Sequence, residues 1–417
     1  MTATKQKPIL VVGAGIAGMT VALEAAEAGR EAILVEKEPA VGGRVARIHN
    51  YFPKMCPPAC GMELNVRRLE KNSRIRVLTA AEVTRADRSG VGWKVTVRQE
   101  PQYVNARCTV CGDCEKACAD TVADPFNFGM SKAKAARQFR PDAWPRRFVL
   151  DKDAIADGGK TVKEACKFGA IDLDAMPREE SFDVSAVVLA TGWHPYPKEK
   201  LPELGGGVCR DVIANVEMER LASPSGPTGG KIVRPSDGNP PKRVAFVQCA
   251  GSRDVNHLAY CSGVCCLASL KHAGYVKEQI PDAEVTIFYI DRRTPGRNEE
   301  VLAKISALPG VKLVKGKAGK VESTPDGALK LRAEDVEAGR IAEGVFDLVV
   351  LATGMESNLK GAALPFGTAL DPDGFGLDDP EACVFVAGVA RRPEDVAASV
   401  RDATGVAARA AAAARRS

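Results

Sequence analysis

The sequence predicts an α/β fold with two dinucleotide-type domains and a separate cysteine-rich domain inserted into the first. Three observations predict it. A strand, a glycine turn, a helix and a second strand follow one another between Pro8 and Glu36. The end of a buried strand recurs as the same six residues at Val187 to Gly192 and Val349 to Gly354, one copy in each half of the chain. Between Glu36 and Val187, a run of four closely spaced cysteines interrupts the first unit.

Ile9 to Val12 is apolar and rich in β-branched residues, which reads as a buried parallel strand. Gly13, Gly15 and Gly18 follow in the spacing GxGxxG. The first glycine permits a tight turn, the second lets the backbone approach a pyrophosphate, and the third lets helix and strand pack closely. Met19 to Ala28 carries helix-forming residues and Gly29 closes the helix. Free N–H groups and the dipole at the start of that helix favour an anion. Ala32 to Val35 is a second strand, and Glu36 at its end is placed to accept from a ribose 2′-hydroxyl and to repel a 2′-phosphate. The competing reading is a glycine-rich turn in an unrelated α/β fold. Further candidate contacts to the dinucleotide are Lys37, Gly43 and Arg44 in the next loop, Val83, Thr191 and Gly192 at a strand end, and Gly388.

Length and composition bound the rest. A chain of 417 residues suggests two or three domains, and 45% hydrophobic residues is a globular composition. The net charge of +5 is small and the basic residues are dispersed, which with only six Tyr and three Trp argues against a nucleic-acid surface. No apolar run reaches the ~20 residues of a membrane span. The first strand begins by residue 9, so no secretory leader is expected, and the chain is expected to be soluble or membrane-associated only through partners. Thirteen cysteines are many for such a chain, and their clustering suggests metal or redox chemistry.

Ile75 to Glu82 and Trp93 to Arg98 read as strands, and Phe182 to Ala190 resumes the interrupted unit. The division that follows is 1–100 for the first part of the dinucleotide-binding domain, 101–180 for the insertion and 181–235 for the continuation and a linker. The second domain then takes 236–355, and 356–417 returns to the first. Ser223 to Lys242, rich in Pro, Gly and Ser, reads as that linker. In the second domain Arg243 to Gln248 and Val285 to Ile290 read as strands and Val264 to Lys277 as a helix. Cys383 to Gly388 is a buried strand, and an Ala-rich helix from Pro393 is expected to pack on the first domain.

Cys108, Cys111, Cys114 and Cys118 have the CxxCxxCxxxC spacing of a ferredoxin-type iron–sulfur site. In a two-cluster ferredoxin the fourth cysteine of each run serves the other cluster. Cys166 stands where a second run would end, and its three companions are replaced by Ala156, Gly159 and Val162. This register predicts one [4Fe–4S] cluster on Cys108, Cys111, Cys114 and Cys166, with Cys118 left over. Alternatives are Cys118 as the fourth ligand of a rearranged fold, and a zinc ribbon, although zinc favours two separated pairs. Cys249, Cys261, Cys265 and Cys266 form a less ordinary set, readable from spacing as a second cluster or as small buried apolar residues. Cys56 and Cys60 have three residues between them, two of them prolines, where flavin disulfide reductases usually have four.

The stretch from Arg234 through Val244 to Asp254, and on through Tyr260 to Cys266, resembles the flavoprotein A subunit of heterodisulfide reductase. The length and the loop Met55 to Cys60 make the chain similar, within that family, to the A subunits of quinone-interacting membrane-bound oxidoreductase complexes of sulfate reducers. The resemblance implies a thioredoxin-reductase-like fold with FAD at Gly13 to Gly18. It implies a [4Fe–4S] cluster on Cys249, Cys261, Cys265 and Cys266. It also implies an electron-transfer role between the quinone pool and adenylylsulfate reductase, at the cytoplasmic face of the membrane. The implied partners are adenylylsulfate reductase, a second flavin and iron–sulfur subunit, and a heme-bearing membrane subunit, with a homodimer as a further expected association. Val389 departs from the family's usual Asp beside the ribityl chain. The other reading is a stand-alone NAD(P)H-dependent disulfide reductase using Cys56 and Cys60. It needs a second GxGxxG after the strand at 243–248, where the chain has Gln248, Cys249, Ala250, Gly251, Ser252 and Arg253 instead. A non-redox interaction protein conflicts with three cysteine clusters.

Overall fold

The structure is a computed structural model that describes residues 6–415. Its first sheet has five parallel strands in the order Val384–Val386, Ala186–Leu189, Ile9–Val12, Ala32–Glu36 and Ile75–Thr79. These strands are apolar because layers cover both faces. Ile9 and Val11 point into one core, shared with the helices Ile16–Glu27 and Val396–Ala413. Leu10 and Val12 point into the other, shared with Val83, Trp93, Val95 and Val97. Those last residues belong to an antiparallel sheet of Arg178–Val184, Gly92–Gln99 and Ala81–Ser89. The helix expected from Pro393 therefore lies over the first sheet.

The chain leaves this antiparallel sheet at Gln99 and rejoins it at Arg178, its neighbour in register. Between these points lies a small core around Cys114, Cys118, Phe148, Val162 and Ile171, while Phe126, Phe139 and Val149 pack with Ala40 of the first unit.

The second half repeats the plan. Val212–Ala214, Leu348–Thr353, Arg243–Ala250, Glu284–Tyr289 and Val311–Lys315 form a five-stranded parallel sheet in that order. The helix Cys265–Gln279 covers one face, and the antiparallel strands Ala318–Ser323, Leu329–Asp335 and Arg340–Phe346 cover the other.

Two expectations need correction. The strand read as Ile75 to Glu82 is two strands, Ile75–Thr79 and Ala81–Ser89, broken at Ala80 with φ +49°. The break lets the chain pass from the parallel layer to the antiparallel one, which an apolar pattern does not reveal. The linker read at Ser223 to Lys242 is a packed strap. Ile232 is 2% exposed within the second core, and Asp211 accepts from the Ser236 backbone N–H at 2.8 Å.

A buried ionic cluster joins the two halves. Glu219, on the helix Asn215–Ala222, accepts from Lys271 Nζ at 2.5 Å and His272 Nε2 at 2.6 Å, both on Cys265–Gln279. Its second oxygen accepts from the His49 backbone N–H at 2.9 Å, and Lys271 donates to the Asn50 carbonyl at 2.9 Å. Burial alone would raise the Glu219 carboxyl, but Lys271 and His272 outweigh it and hold the group below the usual carboxylate range. The stabilisation is present above the unfolded value of about 4.3 and is lost as pH falls through the lower folded value. Glu219→Gln leaves Lys271 buried without its counter-charge, and the expected cost is about 3–5 kcal/mol in denaturant unfolding followed by circular dichroism. The gap to wild type should narrow as pH drops below about 4.

Candidate functional site

The glycine turn is fixed by crowding. A Cβ on Gly13, whose φ is +101°, would lie 2.4 Å from the Ala190 carbonyl oxygen, and one on Gly18 would lie 1.8 Å from the Gly13 carbonyl oxygen. Gly15 differs: its nearest neighbour would be Gly43 Cα at 3.9 Å. That open side, at the uncapped start of Ile16–Glu27, is where an anion can meet the backbone N–H groups. Glu36 is buried at its strand end and accepts from the Ala14 N–H at 2.7 Å and the Glu38 N–H at 2.9 Å. Burial raises its pKa, and those two donors oppose the rise. Glu36 therefore also braces the turn.

Two features fit an anionic dinucleotide. Arg44 is pushed down to about 10, by burial and then by Arg47. It donates to the Trp193 carbonyl at 3.1 Å and lies over the Phe128 and Trp193 rings. Among the described ion pairs it has no carboxylate within 4 Å, so a phosphate would supply the missing charge. Thr191 Oγ1 is buried without a hydrogen-bond partner at the end of the strand that backs Gly13. Gly192 follows with φ +71° and no neighbour within 4 Å of a Cβ. Gly388, at φ +63°, approaches Ala17 on the first helix, and its N–H is bound by Asp402 at 2.8 Å. Lys37 is exposed beyond the strand end. Val83 sits in the core with its backbone paired to Val97, so its side chain serves packing. Val389 is 9% exposed in the turn after Gly388.

Sequence reasoning missed Arg140, Asn358 and Asp402. Arg140, from the inserted segment, donates to the Val41 carbonyl at 2.8 Å, and Asn358 donates to the Thr191 carbonyl at 2.7 Å. No local pattern marks them, because each reaches the site from a distant part of the chain.

In the inserted segment Cys108, Cys111, Cys114 and Cys166 line one pocket with Val104, Phe148, Phe168, Ala170 and Ile171. Cys118 does not line it. Cys118 is 1% exposed in the core, with its thiol directed at the Asp120 carbonyl at 3.5 Å. Cys114 and Cys108 interact closely: burial, then Cys108, push the Cys114 thiol up to about 11. The Ala170 N–H donates to the Cys166 sulfur at 3.3 Å. Four convergent thiols with a backbone donor in an apolar lining fit an iron–sulfur cluster.

The second set also converges. Burial raises Cys265 first, followed by the nearby Cys249, Cys266 and Cys261 thiols. Cys249 stands at φ +57°, at a register shift between Val247 and Ala250 that breaks the pairing with the strand Leu348–Thr353. A non-glycine residue in that conformation is strained, and here it turns the sulfur out of the strand's alternation. Cys265 and Cys266 open the helix Cys265–Gln279, and Cys261 precedes it. This donor set fits a cluster as well. Among the described residues no three His, Cys, Asp or Glu side chains close tightly enough to hold a single ion. A cavity of about 660 Å³ lies beside Gln248, Cys249 and Gly251.

Cys56 is half-buried and Cys60 is exposed in the first turn of the helix Ala59–Lys71. The Cys56 carbonyl accepts from the Tyr51 N–H at 2.7 Å. Burial, then Cys56, push the Tyr51 hydroxyl up to about 12.

The NAD(P)-binding Rossmann-like domain family matches residues 11–74. Thioredoxin reductase of T. acidophilum shares the fold, with TM-score 0.52, 14% identity, and coverage of 98% of this chain and 99% of that one. The bacillithiol disulfide reductase of Bacillus cereus does so with TM-score 0.53, 12% identity, and coverage of 99% and 100%. In sequence, the chain is 36% identical over 417 residues to the A subunit of the H(2):CoB-CoM heterodisulfide,ferredoxin reductase of Methanothermobacter marburgensis, covering 96% of this chain and 63% of the relative. It is 34% identical to the A subunit of the ferredoxin/F(420)H(2)-dependent CoB-CoM heterodisulfide reductase of Methanosarcina acetivorans, covering 96% and 52%. It is 36% identical to an iron-sulfur A subunit of the CoB-CoM heterodisulfide reductase of Methanopyrus kandleri, covering 96% and 63%. The chain spans between half and two thirds of the length of these relatives. Over nearly all of its own length, the chain is similar to the A subunits of heterodisulfide reductase, and it has a thioredoxin-reductase-like fold.

Proposed function

We propose that this chain is the FAD and iron–sulfur electron-transfer subunit of a multi-subunit oxidoreductase. The observation that carries the reading is the convergence of two separate cysteine quartets on a chain whose glycine turn is built for a dinucleotide. Gly13, Gly15 and Gly18 with the helix start would hold the pyrophosphate, Arg44 would neutralise it, and Glu36 and Thr191 would add polar contacts. A bound flavin exchanges two electrons with one partner and single electrons with iron–sulfur centres. The residues of this chain bind that cofactor and fix its orientation, and the cysteines hold one [4Fe–4S] cluster at 108–166 and a second at 249–266. The proposed domain division is 1–100, 101–180, 181–235, 236–355 and 356–417.

In its finer form the proposal places the chain in a complex that links the quinone pool to adenylylsulfate reductase in dissimilatory sulfate reduction. It would sit at the inner face of the cytoplasmic membrane through a second flavin and iron–sulfur subunit together with a heme-bearing membrane subunit. Among the described residues no helix is long and apolar enough to cross a membrane. The stand-alone NAD(P)H disulfide reductase is the weaker reading, because the end of Arg243–Ala250 and the turn after it carry Gln248, Ala250 and Arg253 in place of phosphate-cradling glycines.

The cluster assignment in the inserted segment separates two cysteines. Cys166→Ser, prepared anaerobically, should lose one cube in iron content and electron paramagnetic resonance, whereas Cys118→Ser should keep it. The opposite pattern would place the fourth ligand at Cys118. Membership of a complex is tested by mild detergent extraction followed by affinity isolation of this chain. Co-isolation of a heme-bearing membrane subunit is expected. Recovery of the free chain with full quinol-linked activity would rule the assembly out.

A further inference from the structure

The second cysteine quartet is met by a charged side chain from its own loop. Cys249, Gly251 and Arg253 have φ values of +57°, +68° and +56°. These alternating left-handed residues curl the chain so that Arg253 returns towards Cys249. The turn is closed by the Arg253 N–H donating to the Tyr260 carbonyl at 3.1 Å and the Leu258 N–H to the Gly251 carbonyl at 3.1 Å. The guanidinium then meets two groups at once. Its Nη1 lies 2.7 Å from the Asp291 carboxylate, and its positive charge stands beside the Cys249 sulfur, where it favours the thiolate. Asp291 lies beyond the end of the neighbouring strand Glu284–Tyr289, so the arginine is held between two strand ends.

The same corner supplies a second such group. The Arg293 backbone lies on the side of the Cys266 sulfur and favours its thiolate, and the Arg293 guanidinium lies 3.8 Å from Asp291. The Cys266 thiol in turn points at the Asp291 carbonyl at 3.3 Å. Two of the four sulfurs thus face groups gathered around Asp291. Arg253 is the cation that acts on both Cys249 and Cys266. A backbone in the left-handed region is costly for arginine, which has no packing reason to occupy it when its side chain is about a quarter exposed.

We propose that Arg253, positioned by Asp291, raises the reduction potential of the cluster held by Cys249, Cys261, Cys265 and Cys266. This rests on the assignment of a [4Fe–4S] cluster to that quartet. One-electron reduction adds a negative charge to the cluster and its thiolates. A guanidinium beside a ligating sulfur stabilises that reduced form more than the oxidised one. Arginine suits the role because its planar fork serves the carboxylate and the sulfur together, which a lysine ammonium does less well.

The test is a redox titration of the anaerobically purified chain, monitored by electron paramagnetic resonance, for wild type, Arg253→Met and Arg253→Lys. Arg253→Met should shift the oxidised-to-reduced ratio of one cluster at fixed potential about tenfold towards oxidised, which is 59 mV for one electron. The signal of the cluster at 108–166 should not move. Arg253→Lys, which keeps the charge and loses the fork, should shift the same signal less. An unmoved potential in either variant overturns the proposal. If Arg253→Met loses the cluster, Arg253→Lys decides by its potential. A wild-type protein with a single cube overturns the quartet assignment itself, and this proposal with it.

Discussion

The absence of room at the Gly13 turn is the constraint on which the rest of the first domain depends. The Gly13 and Gly18 positions touch backbone carbonyls so closely that no side chain fits either. The Gly13 contact is with Ala190, the end of the strand Ala186–Leu189, which the chain reaches only after the whole inserted segment. The turn, the resumed strand and the returning Val384–Val386 strand must therefore meet at one sheet edge. In a parallel sheet that edge is where ligands bind, because helix starts and strand ends converge there. Arg44, Thr191 and Gly192 gather at this edge as a consequence of packing, and the buried Arg44 charge gives the place its sign.

The second domain shows what the same plan does without the constraint. Its strand Arg243–Ala250 has Gln248 where the first domain has Gly13, and Cys249 follows. The strand bulges there instead of turning tightly, and the helix that follows starts with two cysteines instead of a phosphate-facing turn. Duplication of the sheet thus leaves one strand end shaped for a dinucleotide and the other lined with thiols. The Glu219, Lys271 and His272 cluster couples them. It ties the loop at His49 and Asn50, which follows Arg44, to the helix that begins at Cys265.

Most of the architecture was legible because the informative signals are local or repeated. The apolar run Ile9 to Val12, the glycine spacing and the echo of Val187 to Gly192 at Val349 each carry their meaning in a few residues. The register of Cys166 against a missing ferredoxin half grouped it with Cys108, Cys111 and Cys114, and the four line one pocket. What was not legible depends on distant contacts or on backbone conformation. The left-handed turn at Ala80 and the strap around Ile232 fall in this class, since Pro- and Gly-rich composition marks turns equally in a loose linker and in a packed one. Arg140, Asn358 and Asp402 were invisible for the first reason, and the pairing of Arg253 with Cys249 for the second.

The central claim is that one chain of this fold carries a flavin dinucleotide and two iron–sulfur cubes. The most direct measurement is flavin identity together with iron and acid-labile sulfide content per chain, on protein isolated without exposure to air. The account predicts one FAD and about eight irons with matching sulfide, four for each quartet. Flavin released as FMN, or zinc in place of iron and sulfide, would contradict it.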